Sequence, residues 1–463
     1  MTLWNASLES PESTRYVALA DRIEAAIQSG DLSPGEKLPT HRKLASDLNV
    51  TVGTITRGYA EAERRGLVNA IVGSGTFVST GHQGSVKFGH LNPDESQEID
   101  LSLNLPIANQ PAPGIARVMQ QISEDSTRLN QLMLYQQEQG LSQHRQWAEN
   151  WLNTLGVRCE AASISVTAGG QHALSLALMA ATRGGDTIAA EGLAYPGLKA
   201  AASQQRLKVI GLPMDEQGIL PESFANYCTL NHLRAVYLCP SIQNPTNACM
   251  QLERRKQIIQ IAVENDVWII EDEIPTNYLT QNPHSFINLA PQQTFYINSH
   301  SKTVAPGLRV GYLVSPAKLS ESVASSIRAQ CWFAPTLNVE IAQRWLDTKE
   351  SRDWLNIQKK ELSKRQALAT EILTGYDIQQ QKGSFHIWLK LPEPWRAVEF
   401  QSRLLEKSVR VLSAEAFAIG RFPAPQAIRI CLSGPSTTGR LEEGLRVIRD
   451  QLDEGYEAPF LVF

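Results

Sequence analysis

Between residues 163 and 314 the chain repeats one pattern, a short unbroken apolar run followed by a stretch with helical spacing of its apolar residues. The runs fall at 163–167, 187–190, 208–212, 235–239, 267–270, 295–298 and 310–314, and a helix to Thr182 follows the first. Runs of this length alternating with helices build a mostly parallel sheet covered by helices on both faces. From about Ser351 a long charged helix leads into three more strand-like runs, 384–391, 409–412 and 428–432, which predicts a smaller α+β domain at the C-terminal end.

The first eighty residues follow a different plan. Val17, Leu19, Ile23, Ala26 and Ile27 mark a helix over 15–29, with Gly30 as its stop. A turn at Ser33-Pro34-Gly35 leads to Thr40, the expected N-cap of a helix through Leu48, and a third helix is expected from Thr51 to about Arg65, ended by Gly66. Two β-prone runs, 67–72 and 76–78, flank Gly73-Ser74-Gly75. The expectation is three helices and a hairpin over 1–79, a polar linker over 80–98, and a large unit over 99–463. Within that unit the large part is expected at about 140–345, and the small part at about 346–463 together with the segment 99–139.

At 463 residues several domains are expected, on a prior of ~100–200 residues each. The net charge of −4 gives no chain-wide electrostatic grip on nucleic acid, which leaves a local basic surface as the means of binding it. The six cysteines form no C-x-x-C pair, no histidine stands at metal-ligand spacing, and they read as buried thiols with no metal site. No secretory signal opens the chain, and no apolar run approaches the ~20 residues that span a bilayer, so the expected compartment is the cytoplasm.

Between Lys37 and Arg65 the basic residues Lys37, Arg42, Lys43, Arg57, Arg64 and Arg65 outnumber the acids Asp47, Glu61 and Glu63. In a helix-turn-helix the residues near the start of the second helix face base edges. Here that start holds Thr51, Gly53, Thr54 and Arg57: Gly53 allows close approach, Thr54 can meet a base edge or a phosphate, and Arg57 a phosphate or a guanine. Arg42 and Lys43 stand where a backbone phosphate would lie. The alternative is a small solvated bundle decorated by arginines.

A second constellation runs through the large unit. Lys302 lies in Ser299-His300-Ser301-Lys302-Thr303-Val304-Ala305-Pro306-Gly307-Leu308-Arg309, just after an expected strand, and Asp272 ends another. Gly170 and Gln171 open a helix after Thr167-Ala168-Gly169, and Tyr195 and Asn244 stand in Ala194-Tyr195-Pro196 and Gln243-Asn244-Pro245-Thr246. These are the residue types that pyridoxal phosphate demands: a Schiff-base lysine (Lys302), a carboxylate for the pyridine nitrogen (Asp272), phosphate donors (Gly170, Gln171, Ser299, Ser301, Arg309), an aromatic face (Tyr195) and a partner for the phenolic oxygen (Asn244). Taken singly, Asp272 also reads as a solvated strand end, Tyr195 as core and Asn244 as an ordinary Asn-Pro turn.

The string from Leu38 to Val68, followed by Gly73-Ser74-Gly75-Thr76-Phe77-Val78, closely resembles the winged helix-turn-helix of GntR-family bacterial regulators, with Gly73 and Gly75 in the wing of the candidate DNA surface. The ordered motifs from Gly169-Gly170-Gln171 to Lys302 and Arg309 resemble class I aminotransferases of fold type I. That resemblance implies that Arg429 clamps a substrate α-carboxylate, and that Tyr135 reaches a neighbour's phosphate across a homodimer. The combination resembles the MocR group of regulators, in which the fused domain is understood to sense an effector. The implied function is a DNA-binding regulator in which an amino compound displaces Lys302 from the cofactor as an external aldimine, with Arg429 holding its carboxylate. An active aminotransferase with a DNA-binding head is the second reading, and a purely structural cofactor the third. Two departures bear on turnover: Pro275 stands where many relatives carry a tyrosine that donates to the phenolic oxygen, and Asn247 replaces the usual glycine of N-P-T-G. A third bears on DNA, since Val52 replaces an arginine common in relatives.

Overall fold

The structure is a computed structural model that describes residues 15–29, 31–33, 35–64, 67–71, 75–78, 98–107, 111–275, 284–420 and 422–455. The chain divides into two compact units, residues 1–88 and 89–463.

In the first unit, helices α1 (Arg15–Ser29), α2 (His41–Asp47) and α3 (Val52–Arg64) precede an antiparallel pair of strands, β1 (Val68–Ile71) and β2 (Gly75–Val78). Leu19, Ile23, Leu44, Ile55, Tyr59, Val68 and Val78 close over one apolar core, so each element is held by the residues that give it its periodicity. Thr40 caps α2 by accepting from the Lys43 amide at 3.3 Å. Thr51 does the same for α3, accepting from the Thr54 amide at 3.2 Å. Gly73 lies outside the described residues, whereas Gly75 opens β2.

The second unit is built on a seven-stranded sheet in the order Ile164–Thr167, Gly311–Val314, Thr294–Ser299, Trp268–Asp272, Ala235–Leu238, Thr187–Glu191, Lys208–Leu212. Only Gly311–Val314 runs against its two neighbours. The other strands therefore share a direction, and Thr167, Ser299, Asp272, Leu238 and Glu191 end at one edge, where an α/β sheet binds its ligands. Every residue of Ile164–Thr167, Ala235–Leu238 and Trp268–Asp272 is buried, as expected for strands covered on both faces.

A four-stranded antiparallel sheet, Ile378–Gln379, His386–Lys390, Ala427–Cys431 and Leu412–Ser413, makes the smaller part. The run expected as one strand over 409–412 is two, because Val409–Arg410 pairs in parallel with Ile99–Asp100 while Leu412–Ser413 pairs with Ala427–Cys431. Glu98 reinforces the first pairing, accepting from Arg410 Nε at 2.5 Å and Nη2 at 2.8 Å. Within 99–139, expected with the small part, only the beginning joins its core, through Ile99 and Leu101. Val118, Ile122 and Leu132 pack instead with Ile341 and Trp345. The cysteines carry free thiols, and Cys331 corrects the expectation of burial: it ends the helix Ser320–Cys331 exposed to solvent.

Candidate functional site

The candidate residues of the large sheet follow strand ends at its carboxyl edge. The strand Thr294–Ser299 delivers Lys302, whose Nζ donates to the backbone carbonyl of Asn104. Burial lowers the lysine's pKa to about 8, and although Cys431 opposes the shift, Arg429 and Arg309 add to it. An appreciable fraction of this amine is therefore neutral near pH 7, a condition for nucleophilic attack on a carbonyl.

Asp272 ends the neighbouring strand. Its Oδ2 accepts from the Tyr237 hydroxyl at 2.6 Å and its Oδ1 from the Ile274 amide at 3.1 Å. Burial raises its pKa, and among the described residues it has no cationic partner. A buried carboxylate in that condition suits a protonated heterocyclic nitrogen. Tyr237 lay inside an apolar run and was invisible as a site residue in the sequence, where it reads as core. We expect Tyr237→Phe to remove a hydrogen bond to a charged group, about 1.5–3 kcal/mol, and so weaken cofactor retention by roughly 10- to 100-fold. Equilibrium dialysis of pyridoxal phosphate measures it, and unchanged retention would discard the role.

The phosphate candidates also converge. The Ser299 and Ser301 hydroxyls are 2.8 Å apart, and Arg309, in the left-handed region at φ 53, directs Nη2 to the Ala168 carbonyl at 3.2 Å. Gly169 has φ +84, and a Cβ there would lie 2.6 Å from Arg309 Nη2, so only glycine leaves the guanidinium its place beside the start of the helix Gly170–Ala181. That helix start, with Gly170 and Gln171 in its first turn, is where backbone N–H groups bind an anion. Gln171 Nε2 donates to the Gly197 carbonyl at 2.9 Å, and its Oε1 is buried with no partner among the described residues. Tyr195 stands at the N-cap of Pro196–Gln204; burial raises its pKa first, and the charges of Asp272, Arg309 and Arg429 all act on it.

Arg429, in the strand Ala427–Cys431, lies across the site at 6 % exposure. Nη1 donates to Asn244 Oδ1 at 2.7 Å, Nη2 to the Ser102 carbonyl at 2.5 Å, and the guanidinium sits 4.8 Å from the Phe417 ring centroid. Its Nε is buried with no partner among the described residues. Asn247 takes the left-handed conformation at φ 65 that glycine would adopt, and its Nδ2 donates to the carbonyls of Gln379 at 3.2 Å and His386 at 3.1 Å. The asparagine thus ties the Asn244 turn to the small sheet, which a glycine could not. Pro275, in a short turn after Asp272, offers no donor.

The buried acid with no cationic partner among the described residues and the neutral-prone lysine fit the residues of this site to pyridoxal phosphate. Tyr135 is not among them. It is 82 % exposed, with its ring 5.7 Å from Trp332, beside exposed Met133 and Leu134.

In the first unit, Arg42 and Lys43 are exposed on the first turn of α2, and Thr51, Gly53 and Arg57 are exposed at the start of α3. Thr54 is half-buried, its hydroxyl 2.9 Å from that of Thr51. Gly75 is exposed at φ +128, against the Lys37 side chain.

Comparison with known proteins places these two units. The family model described as aminotransferase class I and II matches residues 97–448, and that described as bacterial regulatory proteins, gntR family, matches residues 15–78. The chain belongs to the class I and II aminotransferase family and carries a GntR-type helix-turn-helix ahead of that domain, the pairing of the MocR group of regulators. It is 28% identical over 454 residues to the uncharacterized HTH-type transcriptional regulator YdeF of Bacillus subtilis, covering 97% of each chain. It is 26% identical to the HTH-type pyridoxine biosynthesis transcriptional regulator PdxR of Corynebacterium glutamicum, over 66% of this chain and 67% of that one. Among solved structures, the kynurenine aminotransferase of Pyrococcus horikoshii superposes with a TM-score of 0.71 at 22% identity, covering 79% of this chain and 93% of that one. That likeness is one of fold.

Proposed function

We propose that the chain is a pyridoxal-phosphate-dependent transcription regulator: the GntR-type unit binds an operator, and the aminotransferase-like unit senses an amino compound. One observation carries the reading. Lys302 and Arg429 come from different sheets, yet both donate to carbonyls of one short segment, at Asn104 and Ser102. The candidate Schiff-base amine and the candidate carboxylate clamp thereby converge on one three-residue segment, which supports a ligand that offers both an amine and a carboxylate.

Pyridoxal phosphate supplies an aldehyde and an electron sink when bound. Lys302 would hold it covalently and give way to the effector's amine, Asp272 would keep the pyridine nitrogen protonated, and Gly170, Gln171, Ser299, Ser301 and Arg309 would hold the phosphate. Tyr195 would cover the ring, Asn244 would meet the phenolic oxygen, and Arg429 would take the effector's carboxylate. The exposed patch of Met133, Leu134, Tyr135 and Trp332 suits a homodimer in which Tyr135 enters the partner's site. Unpaired thiols, one of them exposed, suit the reducing cytoplasm.

DNA affinity measured with and without cofactor and with candidate amino acids tests the reading; indifference to both would remove the sensing role. On the DNA side, Arg57→Ala is expected to lower operator affinity and, if the contact is a phosphate, to reduce the salt slope by about 1. Fluorescence anisotropy over a salt series reads both, and an unchanged isotherm would take Arg57 off the interface. The low pKa of Lys302 also favours a second reading, an aminotransferase with a DNA-binding head. Sustained release of 2-oxo acid, with DNA affinity insensitive to amines, would favour it.

A further inference from the structure

The segment that receives Lys302 and Arg429 carries one more polar group. Asn104 Nδ2 lies 3.1 Å from His386 Nδ1, while Asn104 Oδ1 is buried with no partner among the described residues. His386 is 1 % exposed on the strand His386–Lys390, opposite Cys431 in the register that also carries Arg429.

Burial pushes the His386 ring down to about 3, and the charges of Arg429 and Lys302 act in the same direction, so the ring is neutral and has one N–H. The carbonyls of Gln243 and Pro245 also face this ring. With the Asn104 Nδ2 donor at Nδ1, the neutral ring accepts there and bears its proton on Nε2, which has no hydrogen-bond partner among the described residues. That arrangement fixes the asparagine's orientation. Its remaining atom, Oδ1, is an acceptor on the same residue whose main-chain carbonyl takes the Lys302 amine.

We infer that Asn104, positioned by His386, selects the effector's side chain, favouring amino acids that carry an O–H or N–H donor over aliphatic ones and over those with a second carboxylate. The inference rests on the proposed sensing role of this site. A buried acceptor left unmatched penalises a ligand without a donor, whereas a carboxylate would bring a second acceptor against the first. A site that offers a hydrogen bond discriminates strongly against the analogue that lacks it; for one neutral bond the expected preference is roughly 10-fold. Nothing in the roles proposed for Lys302, Asp272 or Arg429 requires such a preference, since in that reading they meet only the amine, the cofactor and the α-carboxylate.

The test uses the full-length protein loaded with pyridoxal phosphate and titrated with L-alanine, L-serine, L-asparagine and L-aspartate, read by the visible absorbance of the bound cofactor. L-serine and L-asparagine are expected to bind roughly 10-fold more tightly than L-alanine, and L-aspartate more weakly than L-asparagine. Asn104→Ala should cut the affinities for serine and asparagine about 10-fold more than that for alanine. His386→Phe, which removes the orienting acceptor, should narrow the same gap. Asn104→Asp, close in shape but without the Nδ2 donor to His386 Nδ1, should likewise narrow the gap and weaken aspartate further, so the idea survives poor folding of the alanine variant. Equal affinities for alanine and serine in the parent protein, or equal losses for all ligands in Asn104→Ala, would overturn the inference while leaving the sensing role standing. A cofactor-loaded protein whose spectrum answers to none of the four would overturn both.

Discussion

Lys302→Ala is expected to abolish the long-wavelength absorbance of the cofactor-loaded protein and to weaken cofactor retention by on the order of 100-fold, about 2.7 kcal/mol, leaving only the noncovalent contacts. The amine is the group that can hold an aldehyde covalently, and its surroundings depress its pKa from 10.5 to about 8. The sign of the pH effect follows. A lysine reacts as the neutral amine, so capture of the cofactor by the apoprotein should accelerate as pH rises through about 8 and level off above it, rather than climbing toward 10.5. Lys302→Arg separates chemistry from packing, because guanidinium still offers a donor for the Asn104 carbonyl yet stays charged and unreactive. Both variants should retain DNA binding and lose its response to amines. A response to amines surviving in Lys302→Arg would mean that sensing does not pass through this residue.

The second large effect is expected at Arg429. Arg429→Gln removes a guanidinium that is 6 % exposed, and with it the charge proposed to hold the effector's carboxylate. Truncating one partner of a buried hydrogen-bonded charge pair costs about 2–5 kcal/mol, so the apparent affinity for an amino acid should fall by roughly 30-fold or more. Affinity for the corresponding amine without a carboxylate, ethylamine in place of alanine, should change little. Arg429→Lys should rescue only part of the loss, since an ammonium cannot reproduce the planar fork that reaches Asn244 Oδ1 and the Ser102 carbonyl together. Equal losses for alanine and ethylamine would assign Arg429 to scaffolding.

Much of this architecture is legible in the sequence, for a physical reason. Strands buried on both faces are near-continuous apolar runs, and this makes 235–238 and 267–270 stand out from the surrounding helices. The strand expected over 267–270 runs on as Trp268–Asp272 because Glu271 is met by partners outside the strand. Glu271 accepts from Arg255 at 3.2 Å and from the Phe286 and Ile287 amides at 2.8 and 3.0 Å, none of which periodicity can disclose.

Lys302 and Asp272 were legible because each follows an apolar strand within an ordered set of motifs, and Arg429 because the resemblance to class I aminotransferases implies it. Tyr237 and His386 were not, because an aromatic or neutral ring in a strand reads as core until its hydrogen-bond partner is located. The acceptors at Ser102 and Asn104 are main-chain carbonyls, identical in every residue type, and a sequence has no sign for them. The reversed strand Gly311–Val314 was likewise hidden, since direction within a sheet leaves no trace in apolar pattern.

The pairing of Ile99–Asp100 with Val409–Arg410, locked by the Glu98 carboxylate on Arg410, has a mechanical meaning. Residues 98–100 are thereby riveted to the lobe that carries Arg429, and not to the sheet whose strand leads to Lys302.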